Sequence, residues 1–359
     1  MPKFAPAGPF SHDIRETGLA LVANQPTGRF ADLAQLTRAV GFLTLFIALY
    51  VLLLAGGAGI GLGWLALAGG LSAFMFGVTV AHDAAHGALY PRRWVNWAGQ
   101  FFGFAVFGIS GAVWAWRHNR LHHMYPNVQG TDIDHEASPL LRLSPHSPWR
   151  WWHRFQPFYS PFLYAFLMGS VTWVEDFSYL KAARKAAPRE FNNWRAALEF
   201  AAAKTFHVLL LLVLPWACLD LTVWELVAGY LIATCVPSTL FSALVVGTHI
   251  AEEAAFHVPD EQDRLPHDWA THQMLTSVDW SPESKFAGLL TGGANAHTAH
   301  HLFPQVAHCH VPMLNDLVEQ KVIEHNIPRN VVSFAGLIGS HFRLLWDLAR
   351  RPDHPLPCT

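Results

Sequence analysis

Apolar positions fall into four long blocks, at residues 40–58, 62–81, 201–219 and 224–247. A membrane-spanning helix needs about 20 mostly apolar residues, so each block reads as one span. A Gly-rich turn at residues 56–63 joins the first two blocks, and residues 220–223 join the last two. The pattern therefore predicts an all-α integral membrane protein with four transmembrane helices in two hairpins. Residues 96–115 and 158–174 are also apolar. They are expected to be re-entrant or interface-lying, because the polar, His-rich stretches around them have to share one side. Residues 1–38 read as a cytoplasmic N-terminal arm, 39–325 as the membrane domain and 326–359 as a C-terminal cytoplasmic segment.

Composition strengthens the membrane reading. The chain is 52% hydrophobic and 14% charged, against about 25% charged in average soluble proteins. A net charge of −2 gives no basic surface for nucleic acid. Neither hairpin turn holds Lys or Arg, whereas the segment between them holds Arg92, Arg93, Arg117, Arg120, Arg150, Arg154, Lys181, Arg184 and Lys185 among others. By the positive-inside rule that segment is cytoplasmic, and both termini with it. The first 30 residues lack the continuous apolar core of a secretory signal. Cys218, Cys235, Cys309 and Cys358 show no paired spacing and are expected to be small apolar fillers without disulfides.

Three histidine clusters accompany these blocks: His82 and His86 in HDAAH at the end of the second, His118, His122 and His123 in HNRLHH in the central segment, and His297, His300 and His301 in HTAHH after the fourth. With 22 His in 359 residues, a given three-His spacing arises roughly 0.08 times by chance, and a bare HxxxH pair about once. Residues four apart share a helix face. His82 with His86, His118 with His122, and His297 with His301 can thus each converge on one metal. His123 and His300 point to a neighbouring face, where a second metal could sit. Imidazole suits iron, zinc or copper, and eight ligands exceed the four that one tetrahedral zinc takes. All three clusters fall on the predicted cytoplasmic side. The arrangement points to oxidation of an apolar substrate.

The boxes, their order along the hairpins and their flanking words resemble the membrane fatty acid desaturase family over about residues 40–325. The carriers are AHDAAHGAL at 81–89, RHNRLHHMYPNVQGTDID at 117–134 and GGANAHTAHHLFPQVAHCH at 292–310, with softer matches in PLLRLSP at 139–145 and WATHQMLTSVDW at 269–280. The resemblance implies a cytoplasmic helical cap carrying the boxes, and two non-haem iron ions as cofactors with O₂ as co-substrate. It also implies a further ligand after the fourth span, which here is His249, and a water-mediated role for Asn295. Two features depart from the family pattern. Three residues separate His118 from the HH pair, where many members have two. His297 stands where front-end members usually carry Gln, which puts a front-end regiochemistry in question. No haem-binding HPGG word and no cysteine set for an iron–sulfur cluster are found, so a separate ferredoxin or b-type cytochrome, with its reductase, is the expected electron donor.

An unactivated methylene offers general acid–base groups nothing to attack, so the hard chemistry falls to reduced iron and O₂. The expected reaction is desaturation of a fatty acyl chain, presented as a membrane lipid or acyl thioester. That chain would thread between the spans past Phe74, Phe76, Phe101, Phe104, Phe107, Trp114 and Trp116. Asp83, Asp132, Asp134 and Glu252 are candidates to orient ligand imidazoles, and so is His272. The other histidines, His308 and His310 included, are expected at the surface, at interfaces or behind the ligands. Alternatives on the same scaffold are a hydroxylase, an acetylenase or a carotenoid-type oxygenase. A non-enzymatic metal-binding or transport protein is a further alternative, but the spans hold almost no polar residues; Lys204 and His207 are expected near a span end.

Overall fold

Backbone polar groups inside a bilayer have to be satisfied within the chain, and helices do this locally. The computed structural model describes residues 1–133 and 139–352; Asp134, His135 and Cys358 lie outside them. The main helices are α1 (Pro9–Ala23), α2 (Leu33–Leu54), α3 (Leu62–Ala85), α4 (Arg93–Ala105), α5 (Gly111–Arg117), α6 (Asp176–Ala186), α7 (Trp194–Cys218), α8 (Val223–Val245), α9 (Trp269–Thr276), α10 (His297–Leu302), α11 (Val311–His325) and α12 (Phe334–Ala349). The one departure from helix among the described elements is a parallel pair, β1 (Asp279–Trp280) with β2 (Val331–Val332). Four helices are long and apolar enough to cross a membrane: α2, α3, α7, and α8 extended to Thr248.

The chain divides into two compact units. The bundle unit comprises residues 30–117 and 162–242, and the histidine unit comprises 1–29, 118–161 and 243–359. Within the bundle unit, α2 begins seven residues earlier than the apolar block. The Asp32 side chain caps it by accepting from the Gln35 N–H at 2.7 Å, so polar residues enter the first turns. It stops at Leu54 because the glycines that follow take positive φ, from +84° at Gly56 to +91° at Gly61. Similarly, α7 begins seven residues ahead of its apolar block, capped by Asn193. Packing between α3 and α8 is close at Gly70, where a Cβ would fall 2.5 Å from the Ala233 carbonyl oxygen. Buried Gln35 ties α2 to α3 by donating to the Thr79 carbonyl (3.0 Å) and Asp83 Oδ2 (2.6 Å).

The turn between α4 and α5 shows how non-helical backbone is buried here. His207 Nδ1 donates to the Val106 carbonyl (2.8 Å), Thr172 Oγ1 to the Phe107 carbonyl, and Lys204 Nζ to the Gly108 carbonyl (2.6 Å). The Lys204 ammonium completes its set with the Thr172 carbonyl (2.7 Å) and Asp176 Oδ2 (2.7 Å). Asp176 and Glu199 in turn accept from Ser110, through its N–H at 2.9 Å and its hydroxyl at 2.6 Å. Gly108 has φ +69°, and a Cβ there would meet Thr172 at 2.6 Å. Lys204 and His207 were expected near a span end; they lie mid-helix in α7, buried in this network, because three successive carbonyls need donors.

In the histidine unit the N-terminal residues belong to the core. Phe10, Ile14 and Val22 of α1 pack with Met274, Leu302, Phe303, Leu314 and Val318. The loop before residue 156 is fastened to the end of α12. Arg142 donates to the Leu348, Ser147 and Pro145 carbonyls, and Gln156 donates to the Leu345 carbonyl at 2.9 Å.

Candidate metal centre

The second histidine cluster is not an α-helical turn. Residues His118–His122 wind as a π-helix, and the His123 N–H bonds the His118 carbonyl at 2.9 Å. A π turn aligns residues five apart instead of four. His118 Nε2 and His123 Nε2 accordingly meet at 3.0 Å, and His300 Nε2 lies 3.2 Å from His123 Nε2. The expected convergence of His118 with His122 is thus corrected: His122 turns to a different set. The expected pairing of His123 with His300 is present.

The third cluster follows its α-helical period. His297 and His301, one turn apart on α10, share a face, while His300 points to His123. Buried Asp279 fixes the start of α10 by accepting from the Thr298 N–H at 2.8 Å, and Arg329 holds Asp279 at 2.7 Å. His249 follows a short 3₁₀ turn after α8, and its carbonyl accepts from Asn127 Nδ2 at 2.8 Å. These placements bring the ligand atoms of His122, His249, His297 and His301 within 4.8 Å of one another, with all four residues buried.

Hydrogen bonds fix the tautomers of this set. A carbonyl or carboxylate oxygen only accepts, so the ring nitrogen facing it carries the proton. His249 Nδ1 donates to the Thr276 carbonyl (2.8 Å), His301 Nδ1 to Gln273 Oε1 (2.9 Å), His297 Nδ1 to the Ala294 carbonyl (3.2 Å) and His122 Nδ1 to Asp132 Oδ2 (3.4 Å). Every Nε2 then presents a bare lone pair. Yet His249 Nε2 lies 2.7 Å from His297 Nε2 and 2.9 Å from His301 Nε2. Facing lone pairs at that range repel unless a cation sits among them. The donor set therefore fits a metal ion, and an all-nitrogen set suits iron, zinc or copper. Burial pushes the His249 imidazole down to about 3, and burial with neighbouring imidazoles pushes His301 well below its ordinary value. Both stay neutral, as ligands must.

His82 and His86 lie in the bundle unit at the end of α3, ring centroids 4.8 Å apart, with Trp114 edge-on to His82 at 5.7 Å. Asp83 accepts from Gln35, and Glu252 pairs with Arg343 instead of a ligand imidazole. Asn295 donates to the Ser281 carbonyl (2.9 Å) and accepts from Thr291 Oγ1 (3.1 Å), which pins the loop before His297. Its expected water-mediated role rests on the remaining lone pair of Oδ1. His272 donates to the Pro126 carbonyl (2.9 Å) and packs on His257, with ring centroids 5.0 Å apart. His153, His257, His308 and His310 are buried, not superficial, and His308 stacks on His300 at 4.8 Å. Gln273, Thr276, Asn127, Asp279 and Arg329 were not anticipated. Three of them fall in the softly matching stretch at 269–280.

Most of the aromatic residues expected to line a channel pack on neighbouring side chains instead. Phe101 stacks on Trp97 (5.5 Å), Phe104 packs at a tilt on Trp114 (4.4 Å), and Trp116 meets Phe191 edge-on (6.2 Å). Of the seven residues named, Phe107 alone lines the bundle cavity, which has a volume of about 390 Å³. Small residues open this space. A Cβ added at Gly69 or Gly229, both on its wall, would meet nothing within 4 Å.

Burial also sets the acid sensitivity of the histidine unit. It lowers His257 and His341 to about 4 and His272 to about 3. The unfolded value is about 6.5, so the unfolded chain takes the proton first as pH falls. Stability is complete above about pH 6.5 and is lost between there and pH 3–4, by about 2 kcal/mol per group at pH 5. Thermal unfolding is expected at clearly lower temperature at pH 5 than at pH 7.5; equal midpoints would contradict this.

The family model for fatty acid desaturase matches residues 58–333, which include the nine candidate ligands His82, His86, His118, His122, His123, His249, His297, His300 and His301. The chain belongs to the fatty acid desaturase family. As a desaturase it is an oxidoreductase, and its four apolar helices fit a membrane protein. It is 29% identical over 296 residues to the sn-1 linoleoyl-lipid 6-desaturase of Arthrospira platensis, covering 81% of this chain and 78% of that one. It is 30% identical over 291 residues to the protein of the same name from Synechocystis sp., covering 79% of each. The acyl-lipid (8-3)-desaturase of Mortierella alpina is 28% identical over 293 residues, covering 79% of this chain and 64% of that protein. The hydroxylase, acetylenase and carotenoid-oxygenase readings find no support among these names.

Proposed function

We propose that this desaturase introduces a double bond into the acyl chain of a membrane lipid, with two iron ions held by His82, His86, His118, His122, His123, His249, His297, His300 and His301. The observation that carries the reading is the set of four buried imidazoles with ligand atoms within 4.8 Å of one another, in which His249 Nε2 faces His297 Nε2 at 2.7 Å and His301 Nε2 at 2.9 Å. A second group, His118, His123 and His300, supports the count of two. His82 and His86 enter from their one-turn spacing and the family resemblance. When bound, the irons supply O₂-dependent oxidising power sufficient to remove two hydrogen atoms from adjacent unactivated carbons. The chain's own residues hold the imidazoles in one tautomer through Gln273, Thr276 and Asp132, and keep the site dry. An acyl lipid is favoured as substrate because the relatives above are named for acyl lipids. Expression in a host of defined lipid profile, followed by mass spectrometry, should reveal a new unsaturated acyl species. A hydroxylated product, or no change with iron present, would contradict desaturation.

The bundle cavity is the proposed seat of the chain's methyl end. It runs along residues 62–73 of α3, and Ala73 precedes His82 by nine residues, about 14 Å of helix rise. Gly69→Phe fills it without a backbone clash. In the same host this variant is expected to shorten the longest acyl chain accepted while shorter chains still react. An unchanged length profile would count against the assignment.

Four spans forming two hairpins, with the histidines and both termini cytoplasmic, follow from the charge asymmetry. A cysteine placed at Ala58 should react with an impermeant maleimide from outside intact cells, and one placed at Lys185 only after lysis. The reverse pattern would overturn this topology. Desaturation consumes two electrons with O₂, supplied by a reduced ferredoxin or b-type cytochrome. Lys181, Arg184 and Lys185 are exposed and one turn apart on α6, a face suited to an acidic donor. Turnover should fall as salt rises, and Arg184→Glu with Lys185→Glu should slow it at constant metal content. Salt-independent rates in both proteins would exclude this face.

A further inference from the structure

Within the histidine unit, one patch of large side chains faces outward. Trp151 is 62% exposed, Phe155 49%, Phe158 65% and Trp346 49%. The first three come from a single eight-residue stretch, and Trp346 comes from the last turns of α12. Phe158 and Trp346 touch edge to face, ring centroids 5.6 Å apart, so the two segments form one surface. This surface is rigid from behind. Trp149 Nε1 donates to the Ala349 carbonyl at 2.9 Å, and Gln156 and Arg142 bind the same end of α12. The opposite side of α12, with Leu337, Leu345 and Leu348, is buried. Aromatic side chains held in place and left uncovered mark a surface that meets a partner.

Charge identifies the partner. The exposed Arg150 guanidinium lies 5.3 Å over the Trp152 ring, and that of Arg154 lies 5.9 Å from the Phe155 ring. Neither forms an ion pair with a carboxylate among the described residues. Tryptophan and phenylalanine beside arginine is the composition of a membrane-interface belt, where rings enter the headgroup boundary and guanidinium groups meet phosphates. Four membrane-length helices in the same chain keep it at a bilayer.

We propose that this patch is a bilayer-facing foot, seating Trp151, Phe155, Phe158 and Trp346 in the lipid interface and binding anionic phospholipid headgroups through Arg150 and Arg154. Among the described residues the histidine unit has no membrane-length helix confined to itself, and the foot gives it an attachment of its own. Arg150 and Arg154 then serve lipid, which leaves donor recognition to α6.

The test uses the full chain in nanodiscs containing a phosphatidylcholine with a photoreactive group beside its glycerol backbone. Adducts mapped by mass spectrometry are expected on the peptides carrying 151–158 and 346, as well as on the spans. Adding phosphatidylglycerol should raise the yield at the foot several-fold at low salt. Arg150→Gln with Arg154→Gln should abolish that rise and leave span adducts unchanged. Trp151→Ser with Phe158→Ser should remove the foot adducts alone. Adducts confined to the spans would overturn the proposal and indicate that a protein or a second copy covers the patch. Foot adducts indifferent to phosphatidylglycerol would overturn the headgroup assignment.

Discussion

Replacing His301 by alanine is expected to reduce desaturation below detection while the protein remains in the membrane at normal abundance. His301 Nε2 stands 2.9 Å from His249 Nε2, and its ring stacks on His123 with centroids 4.2 Å apart. Its loss opens one set to three ligands at the point where both sets adjoin. The spans that drive insertion are untouched. His249→Ala, His123→Ala and His86→Ala should behave alike. Gln273→Ala separates ligation from orientation: it frees the His301 ring to rotate, so metal affinity or activity should fall by about 10–100-fold without vanishing. Near-normal turnover of His301→Ala would remove it from the ligand set.

The second large effect lies away from the metal centre. Lys204→Met removes three donors at once and leaves the Gly108 and Thr172 carbonyls and Asp176 without their ammonium partner. Breaking one side of a buried ion pair costs about 3–5 kcal/mol. The variant should unfold several degrees lower in detergent. Lys204→Met combined with Asp176→Asn should cost less than the sum of the two single changes, because the Lys204–Asp176 pair is removed as a whole and Asp176 is not left without its ammonium partner. A midpoint within a degree of the parent, or strict additivity, would show that the network contributes little.

How far the sequence could be read depended on the geometry each pattern assumes. His297 and His301 were legible because α10 keeps the 3.6-residue period that the spacing argument uses. His118 and His122 were misassigned because one π turn shifts the phase by a residue, and nothing in HNRLHH signals it. The first span was placed from its apolar residues, but α2 starts at its cap, Asp32, and continues through Gln35 and Arg38. Lys204 was read as lying near a span end and Asp176 and Glu199 were not singled out, because only the bare carbonyls of residues 106–108 explain why these polar side chains are gathered there. The channel was sought among aromatic residues, which here pack on each other. Volume follows from small residues, Gly69 and Gly229 among them. Gln273 and Thr276 act through one hydrogen bond each, and such partners are visible only once their histidines have been placed.

Metal content of the purified protein decides whether these histidines hold two iron ions. Two iron atoms per chain are expected in the parent, and about one in His301→Ala. One zinc per chain, with no iron bound and no activity on adding iron, would contradict a di-iron centre built from these histidines.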